Sequence, residues 1–122
     1  MKEWLLAGSG GFIGSALRYV LSGWLRSLSP ASSFPWGTFS VNVLGCLVMG
    51  CILGWTAREN DWKIFLASGV CGGFTTFSAF AAENHSLLSA GKPGLAALYI
   101  ASSLVLGLTA FASGWYIIRA LN

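Results

Sequence analysis

Charged residues are sparse along this chain, and long apolar stretches lie between them. The three longest uncharged gaps run from Arg26 to Arg58, from Lys63 to Glu83 and from Lys92 to Arg119. Each gap is about as long as, or longer than, the ~20 residues that an α-helix needs to cross a ~30 Å hydrocarbon layer. Since lipid offers no hydrogen-bond partners to an open backbone, the pattern predicts membrane-spanning helices.

Turn signals and charges divide the chain into four apolar segments, at residues 4–27, 34–56, 63–89 and 94–119. The first connection contains two prolines, the second is the most charged stretch of the chain, and the third, SAGKPG, is typical of a turn. The pattern therefore predicts a single all-α integral membrane domain over residues 1–122. Composition agrees, because 55% hydrophobic residues, 9% charged residues and a mean hydropathy of +0.69 would give a soluble domain of this size a largely apolar surface.

The basic start and apolar stretch of MKEWLLAGSGGFIGSALRYV also fit a secretory signal peptide. We expect the stretch to be retained, because its apolar part runs into Arg18 without a convincing cleavage site.

The spacing of Gly8, Gly11 and Gly14 is similar to that of a dinucleotide-binding turn. That fold also needs a preceding strand and an acidic residue about 20 positions further on. No Asp or Glu occurs between Glu3 and Glu59. We therefore interpret the three glycines as a small-residue stripe that lets a neighbouring helix approach closely.

The third segment contains poor helix formers near its centre. FLASGVCGGFTTFSAFAAEN places Gly72 and Gly73 shortly before Thr75 and Thr76, and neither residue type favours a helix interior. We predict a break in the third helix near mid-membrane, where freed carbonyls line a cavity or coordinate a cation. The alternative, that the glycines only permit close helix packing, stays open at this point.

Polar side chains within apolar segments are costly and mark candidate functional sites. Asn42 lies one turn beyond Thr38 and is either a link between helices or a donor for a permeating solute. Arg18 either extends to the interface or holds a positive potential at an aqueous vestibule. Glu83 follows the polar residues Thr75, Thr76 and Ser78 near the end of the third segment.

Two helical rows add further candidates. Tyr99, Ser103 and Gly107 follow one another at i, i+4 spacing and give a thin polar line, although a serine hydroxyl alone is weak evidence. Phe77 and Phe80 lie one turn apart; two aromatic residues at this spacing are usually core or lipid contacts, and the alternative is that their positive ring edges face an anion.

These features describe a conduit and argue against an enzyme, since they include no nucleophile–base pair and no metal-ligand cluster. The three cysteines lack ligand spacing and are interpreted as packed free thiols. They are Cys46, Cys51 and Cys71. The net charge of +3 is too small to indicate a nucleic-acid partner.

The charge bias between the two predicted sides of the membrane is slight. One side carries Lys2, Arg58, Lys63 and Arg119, and the other carries Arg26 and Lys92. Orientation is therefore weakly specified. A chain that inserts both ways can form an antiparallel two-fold dimer.

The motifs GGFIGSALRY, GTFSVNVLG and GVCGGFTTFSAF, in this order on four segments, resemble those of the bacterial Fluc (CrcB) fluoride channels, and the resemblance covers essentially the whole chain. It implies an antiparallel, dual-topology homodimer in the bacterial inner membrane, with two pores through which cytoplasmic fluoride leaves passively. It also implies a structural sodium ion at the dimer interface, held by backbone carbonyls of Gly72 and Thr75.

The same resemblance implies the pore residues. They are Phe77, Phe80, Asn42, Thr38, Thr76, Ser78, Tyr99, Ser103 and Glu83. Arg18 resembles the vestibule arginine of the family, whereas Gly107 departs from the pattern because a hydroxyl residue would fit its row. The alternative function is a small proton-coupled multidrug exporter, for which Glu83 is the candidate titratable carboxylate.

Overall fold

The computed structural model describes residues 1–55 and 58–122, and within these ranges it is all-helical, with no strand. The helices are α1 (Lys2–Leu28), α2 (Trp36–Trp55), α3 (Asp61–Lys63), a π-helix (Ile64–Cys71), α4 (Gly72–Phe74), α5 (Phe77–Ser89) and α6 (Pro93–Leu121). The prediction of an all-α fold built from four helical segments is confirmed for the described residues, with α3 to α5 forming one broken segment. The predicted end of the second segment at residue 56 lies outside them.

Three of the four segments are long and apolar enough to cross a membrane: Trp36–Trp55, Asp61–Ser89 and Pro93–Leu121. Helix α1 is also long, at 27 residues, but Arg18 and its glycines and serines make it less apolar. Its membrane crossing stays a prediction. Large apolar side chains cover the outside of the molecule, including Phe12 and Leu108, which are 77% and 70% exposed.

The four segments pack as two pairs, with α1 on the π-helix and α4, and α2 on α6. In the first pair the backbones touch directly. A Cβ added to Gly14 would overlap the carbonyl of Val70, and one added to Gly69 would lie 2.8 Å from the Cα of Gly10. The stripe predicted on α1 is therefore confirmed for Gly14 and for Gly11, whose carbonyl oxygen would lie 2.4 Å from a Cβ added to Gly73. It is wrong for Gly8, where an added Cβ would have no neighbour within 4 Å among the described residues.

The π-helix was not predicted from the sequence. Its eight residues, Ile64–Cys71, have the wider turn of i→i+5 hydrogen bonding. Such turns are commonly found at functional sites. Here it leads directly into the break.

The predicted break in the third segment is confirmed. Helix α4 ends at Phe74, after which Thr75 (φ −82°, ψ 153°) and Thr76 (φ −147°, ψ 116°) have extended backbone. Thr76 then caps α5, because its side-chain oxygen accepts a hydrogen bond from the Ala79 amide at 3.2 Å.

A tight turn connects α5 to α6. Gly91 has φ +71°, a conformation that favours glycine, and the Lys92 amide donates to the Leu87 carbonyl at 2.9 Å. This is a Schellman ending. The Lys92 ammonium then donates to the Ser33 hydroxyl, which ties this turn to the α1–α2 loop. At the opposite end Lys2 pairs with Asp61.

Candidate functional site

The site is built around the helix break, where Asn42 of α2 forms hydrogen bonds with the backbone of Thr76. The amide of Thr76 donates to Asn42 Oδ1 at 2.8 Å, and Asn42 Nδ2 donates to the Thr76 carbonyl at 3.1 Å. The side-chain amide thus gives the Thr76 amide a substitute for the acceptor it would have in a continuous helix, and it adds a donor to the Thr76 carbonyl. Of the two alternatives predicted for Asn42, the structure shows the link between helices. The second N–H of its amide remains able to donate to another acceptor.

The break frees two particular carbonyls. In a continuous helix the amides of Thr76 and Ala79 would donate to the carbonyls of Gly72 and Thr75, four residues earlier. Here they donate to Asn42 Oδ1 and Thr76 Oγ1 instead. The carbonyls of Gly72 and Thr75 therefore lack their helical partners, and hard cations such as sodium prefer oxygen ligands of this kind. Gly72 is also exposed on the surface of the chain.

Glu83 of α5 is joined to two other helices. Thr38 Oγ1 of α2 donates to Glu83 Oε1 at 2.6 Å, and the Tyr99 hydroxyl of α6 donates to Oε2 at 2.8 Å. Thr38 is 7% exposed and Tyr99 is fully buried. Hydrogen bonds to a carboxylate are short and strong, so the carboxylate is held in one place by the α2 and α6 hydroxyls.

The two candidate pore phenylalanines have different surroundings. Their ring centroids are 5.6 Å apart. Phe80 packs against Tyr99, with centroids 5.0 Å apart and the ring planes at 62°. Phe77 is 81% exposed. One chain therefore covers only one of the two rings.

Arg18 of α1 is directed to the same region. Its Nε donates to the Gly73 carbonyl at 3.1 Å, and Ser15 Oγ donates to that carbonyl at 3.4 Å. The guanidinium borders a cavity of about 140 Å³. Three other predicted site residues line this cavity: Thr38, Thr76 and Glu83.

The two remaining predicted hydroxyls, of Ser78 and Ser103, differ in burial. Ser78 is exposed, and its Oγ lies 3.3 Å from Thr76 Oγ1. The Ser103 hydroxyl is buried with no hydrogen-bond partner among the described residues. At Gly107 an added Cβ would lie 3.6 Å from Cys46 Sγ, so the row from Tyr99 ends against a thiol.

One buried polar side chain was missed by the sequence reasoning. Asn84, 7% exposed, donates from Nδ2 to the Phe80 carbonyl at 2.9 Å, and its Oδ1 has no partner among the described residues. Its position next to Glu83 in a polar stretch was the available signal. All three cysteines are free, as predicted, and the described residues contain no cluster of metal-ligating side chains.

Comparison with known proteins identifies the family of this chain. A family model described as CrcB-like protein, Camphor Resistance (CrcB), matches residues 5–115. The chain belongs to the CrcB family. Its multi-pass membrane character follows from this membership and the apolar helices.

CrcB relatives named fluoride-specific ion channel FluC align along nearly the full chain. The relative from Methylobacillus flagellatus is 43% identical over 98% of this chain and 96% of its own length. Those from Novosphingobium aromaticivorans and Phocaeicola vulgatus are 45% and 44% identical, over 92% and 88% of this chain and 92% and 91% of their own lengths. The resemblance found in the sequence and the prediction that the chain is not an enzyme are confirmed by these CrcB relatives.

Proposed function

We propose that this chain forms a fluoride-selective channel, which lets cytoplasmic fluoride leave passively through two pores of an antiparallel dual-topology homodimer in the bacterial inner membrane. The names of its relatives support the ion. The structural observation that carries the proposal is the convergence of Asn42, Thr76, Glu83 and the phenylalanine rings on one helix break.

The exposure of Phe77 supports a dimer. A ring that is 81% exposed next to polar groups does not form a closed conduit by itself. A second copy placed against this surface would enclose it, and the weak charge bias favours two opposite orientations. Each pore would then contain residues of both copies.

The carbonyls of Gly72 and Thr75 fit the proposed structural sodium ion. Both have lost their helical amide partners to side chains of this chain, and the exposed Gly72 can face the second copy. The four carbonyls of two copies would hold the ion. When bound, it would neutralise the carbonyl dipoles at the interface.

Selectivity would come from replacing the water shell of fluoride with donors of this chain. The hydroxyls of Thr76 and Ser78, the remaining Asn42 N–H and the ring edges of Phe77 and Phe80 each supply part of that shell. Because every contribution is weak, the ion can leave again. Chloride, which is larger, would not fit between the rings.

Other polar side chains would have supporting roles. Tyr99 and Thr38 hold Glu83 through direct hydrogen bonds, so that the carboxylate does not face the rings freely. Ser103 keeps an unused hydroxyl and is a further donor for the path. Arg18 would raise the local fluoride concentration at the entrance.

Efflux from liposomes tests the proposal. Purified protein is reconstituted with internal fluoride, and release is followed with a fluoride electrode, with chloride as the control anion. Fluoride release that needs no pH gradient, without chloride release, is expected. Proton-coupled release of a lipophilic cation that is lost in Glu83→Gln would instead identify a multidrug exporter.

Replacing sodium tests the structural ion separately. Sodium in all buffers is exchanged for a large organic cation, and thermal unfolding of the purified protein is measured alongside efflux. An ion present at a free concentration of about 100 times its Kd adds ~2.7 kcal/mol to stability. We therefore expect unfolding at a clearly lower temperature without sodium. Unchanged unfolding and unchanged efflux would contradict a bound sodium ion.

A further inference from the structure

Three cavities near the α1–α2 loop share Glu83 in their walls. Their volumes are about 300, 280 and 140 Å³. Arg26 lines the first and the third, and Lys92 lines the second. An ion that approaches Glu83 from this end therefore passes cations other than Arg18.

Arg26 is held in place in spite of its exposure. Its Nε donates to the Ser22 carbonyl at 3.4 Å. Its stem lies on the first turn of α2, where a Cβ added to Gly37 would be 3.3 Å from Arg26 Cγ. The close approach of α2 at Gly37 thus fixes the direction of the Arg26 side chain.

The charges around the 140 Å³ cavity show what Arg26 contributes. Its charged lining residues are Arg18, Arg26 and Glu83. Two cations and one carboxylate make the cavity net positive, and loss of Arg26 would leave it close to neutral. A confined net charge of this kind raises the local concentration of an oppositely charged ion.

We propose that Arg26 is a second anion-attracting residue of the entrance, a positioning residue that works with Arg18 to draw a small hydrated anion toward the helix break. The proposal rests on the channel function proposed above. Arg18 is anchored on the carbonyl of Gly73 in α4, next to the helix break, whereas Arg26 also borders the 300 Å³ cavity at the α1–α2 loop. An anion that enters from the α1–α2 loop would therefore pass Arg26 before it reaches Arg18.

The experiment compares Arg26→Gln, Arg26→Lys and wild type in fluoride efflux as a function of fluoride concentration. At about 0.01 M of an inert gluconate salt the Debye length is ~30 Å, and at about 1 M it is ~3 Å. In low salt we expect Arg26→Gln to raise the half-saturating fluoride concentration about 5-fold with the same maximal rate, because only attraction is lost. In high salt the difference should fall below about 2-fold. Arg26→Lys should behave as wild type.

Arg119→Gln is the matched control. Arg119 lies at the far end of α6, stacks on the Trp115 ring at 4.9 Å and lines none of the three cavities. It should leave the half-saturating concentration unchanged. An Arg26→Gln curve equal to wild type in low salt, an effect independent of salt, or equal losses in Gln and Lys variants would overturn the proposal. Absence of fluoride efflux in the wild type would instead contradict the channel function itself.

Discussion

The two halves of the broken segment use opposite means to contact their neighbours. Before the break, the π-helix lies against α1 through backbone, with Gly69 and Val70 touching Gly10 and Gly14. After the break, α5 contacts α2 and α6 through side chains, with Glu83 as the centre. The first half fixes position, and the second half provides chemical groups. We expect substitutions in the first half to act on folding and those in the second half to act on conduction.

Gly14→Val should have the largest effect. The new side chain would collide with the Val70 carbonyl and the Phe74 amide, which are backbone atoms that cannot move aside. We expect a loss of about 3 kcal/mol or more, seen as little folded protein in size-exclusion chromatography and a lowered unfolding temperature. Gly8→Val is the control, because nothing lies near that position; equal losses in both variants would contradict backbone packing.

Asn42→Asp tests the connection between the halves. A carboxylate keeps the acceptor for the Thr76 amide but opposes the Thr76 carbonyl, which now accepts from Nδ2. We expect a loss of about 2 kcal/mol in stability together with reduced fluoride efflux, measured by thermal unfolding and a fluoride electrode. Asn122→Asp at the exposed terminus should change neither. A stable, fully active Asn42→Asp would refute its role at the break.

Phe77→Ile should separate conduction from stability. Since Phe77 is 81% exposed in one chain, the fold of that chain should be unaffected, whereas fluoride efflux should fall at least about tenfold, or ~1.4 kcal/mol in the barrier. Phe12→Ile is the control with similar exposure, 77%, on α1. If both variants conduct equally well, Phe77 does not line the path.

Tyr99→Phe should have the smallest effect. It removes one of the two hydroxyls that hold Glu83 but keeps the ring that packs on Phe80. We expect about 1 kcal/mol less stability, measured as a small decrease in unfolding temperature. Phe80→Ile, which keeps this hydroxyl but removes the ring contact with Tyr99, should cost more. The reverse order would show that packing on Tyr99 matters less than its hydroxyl.

Apolar length and breakers predicted the helical segments and the break well, because both depend on local chemistry. The predicted 94–119 became Pro93–Leu121 and 63–89 became Asp61–Ser89. The break follows from glycines and threonines that are poor helix formers in any context.

The exact packing faces were less predictable. The stripe was expected at Gly8, Gly11 and Gly14, but a step of three residues drifts around a helix, so Gly8 lies off the contact face. Gly11 contacts Gly73, and the i, i+4 pair Gly10 and Gly14 faces the π-helix. The neighbouring glycines of the third segment also differ from each other: Gly73 packs on α1, where an added Cβ would lie 2.4 Å from the Gly11 carbonyl oxygen, while the carbonyl of Gly72 lacks its helical partner.

The hydrogen-bond partners that polar side chains find on other helices could not be predicted from the sequence. The hydrogen bonds from Arg18 to the Gly73 carbonyl and between Asn42 and the Thr76 backbone depend on how α1 and α2 approach the break. The π-helix was likewise missed, because no residue in Ile64–Cys71 distinguishes i→i+5 from i→i+4 hydrogen bonding.

The length of α6 connects the channel to the thickness of its membrane. Its 29 residues extend about 43 Å at ~1.5 Å per residue, well beyond a hydrocarbon layer of ~30 Å. The helix must therefore tilt or project into the headgroups. Because Tyr99 near one end of α6 holds Glu83, a change in tilt would move the carboxylate relative to the break. We therefore expect the chain length of the surrounding lipids to affect the position of the Glu83 carboxylate.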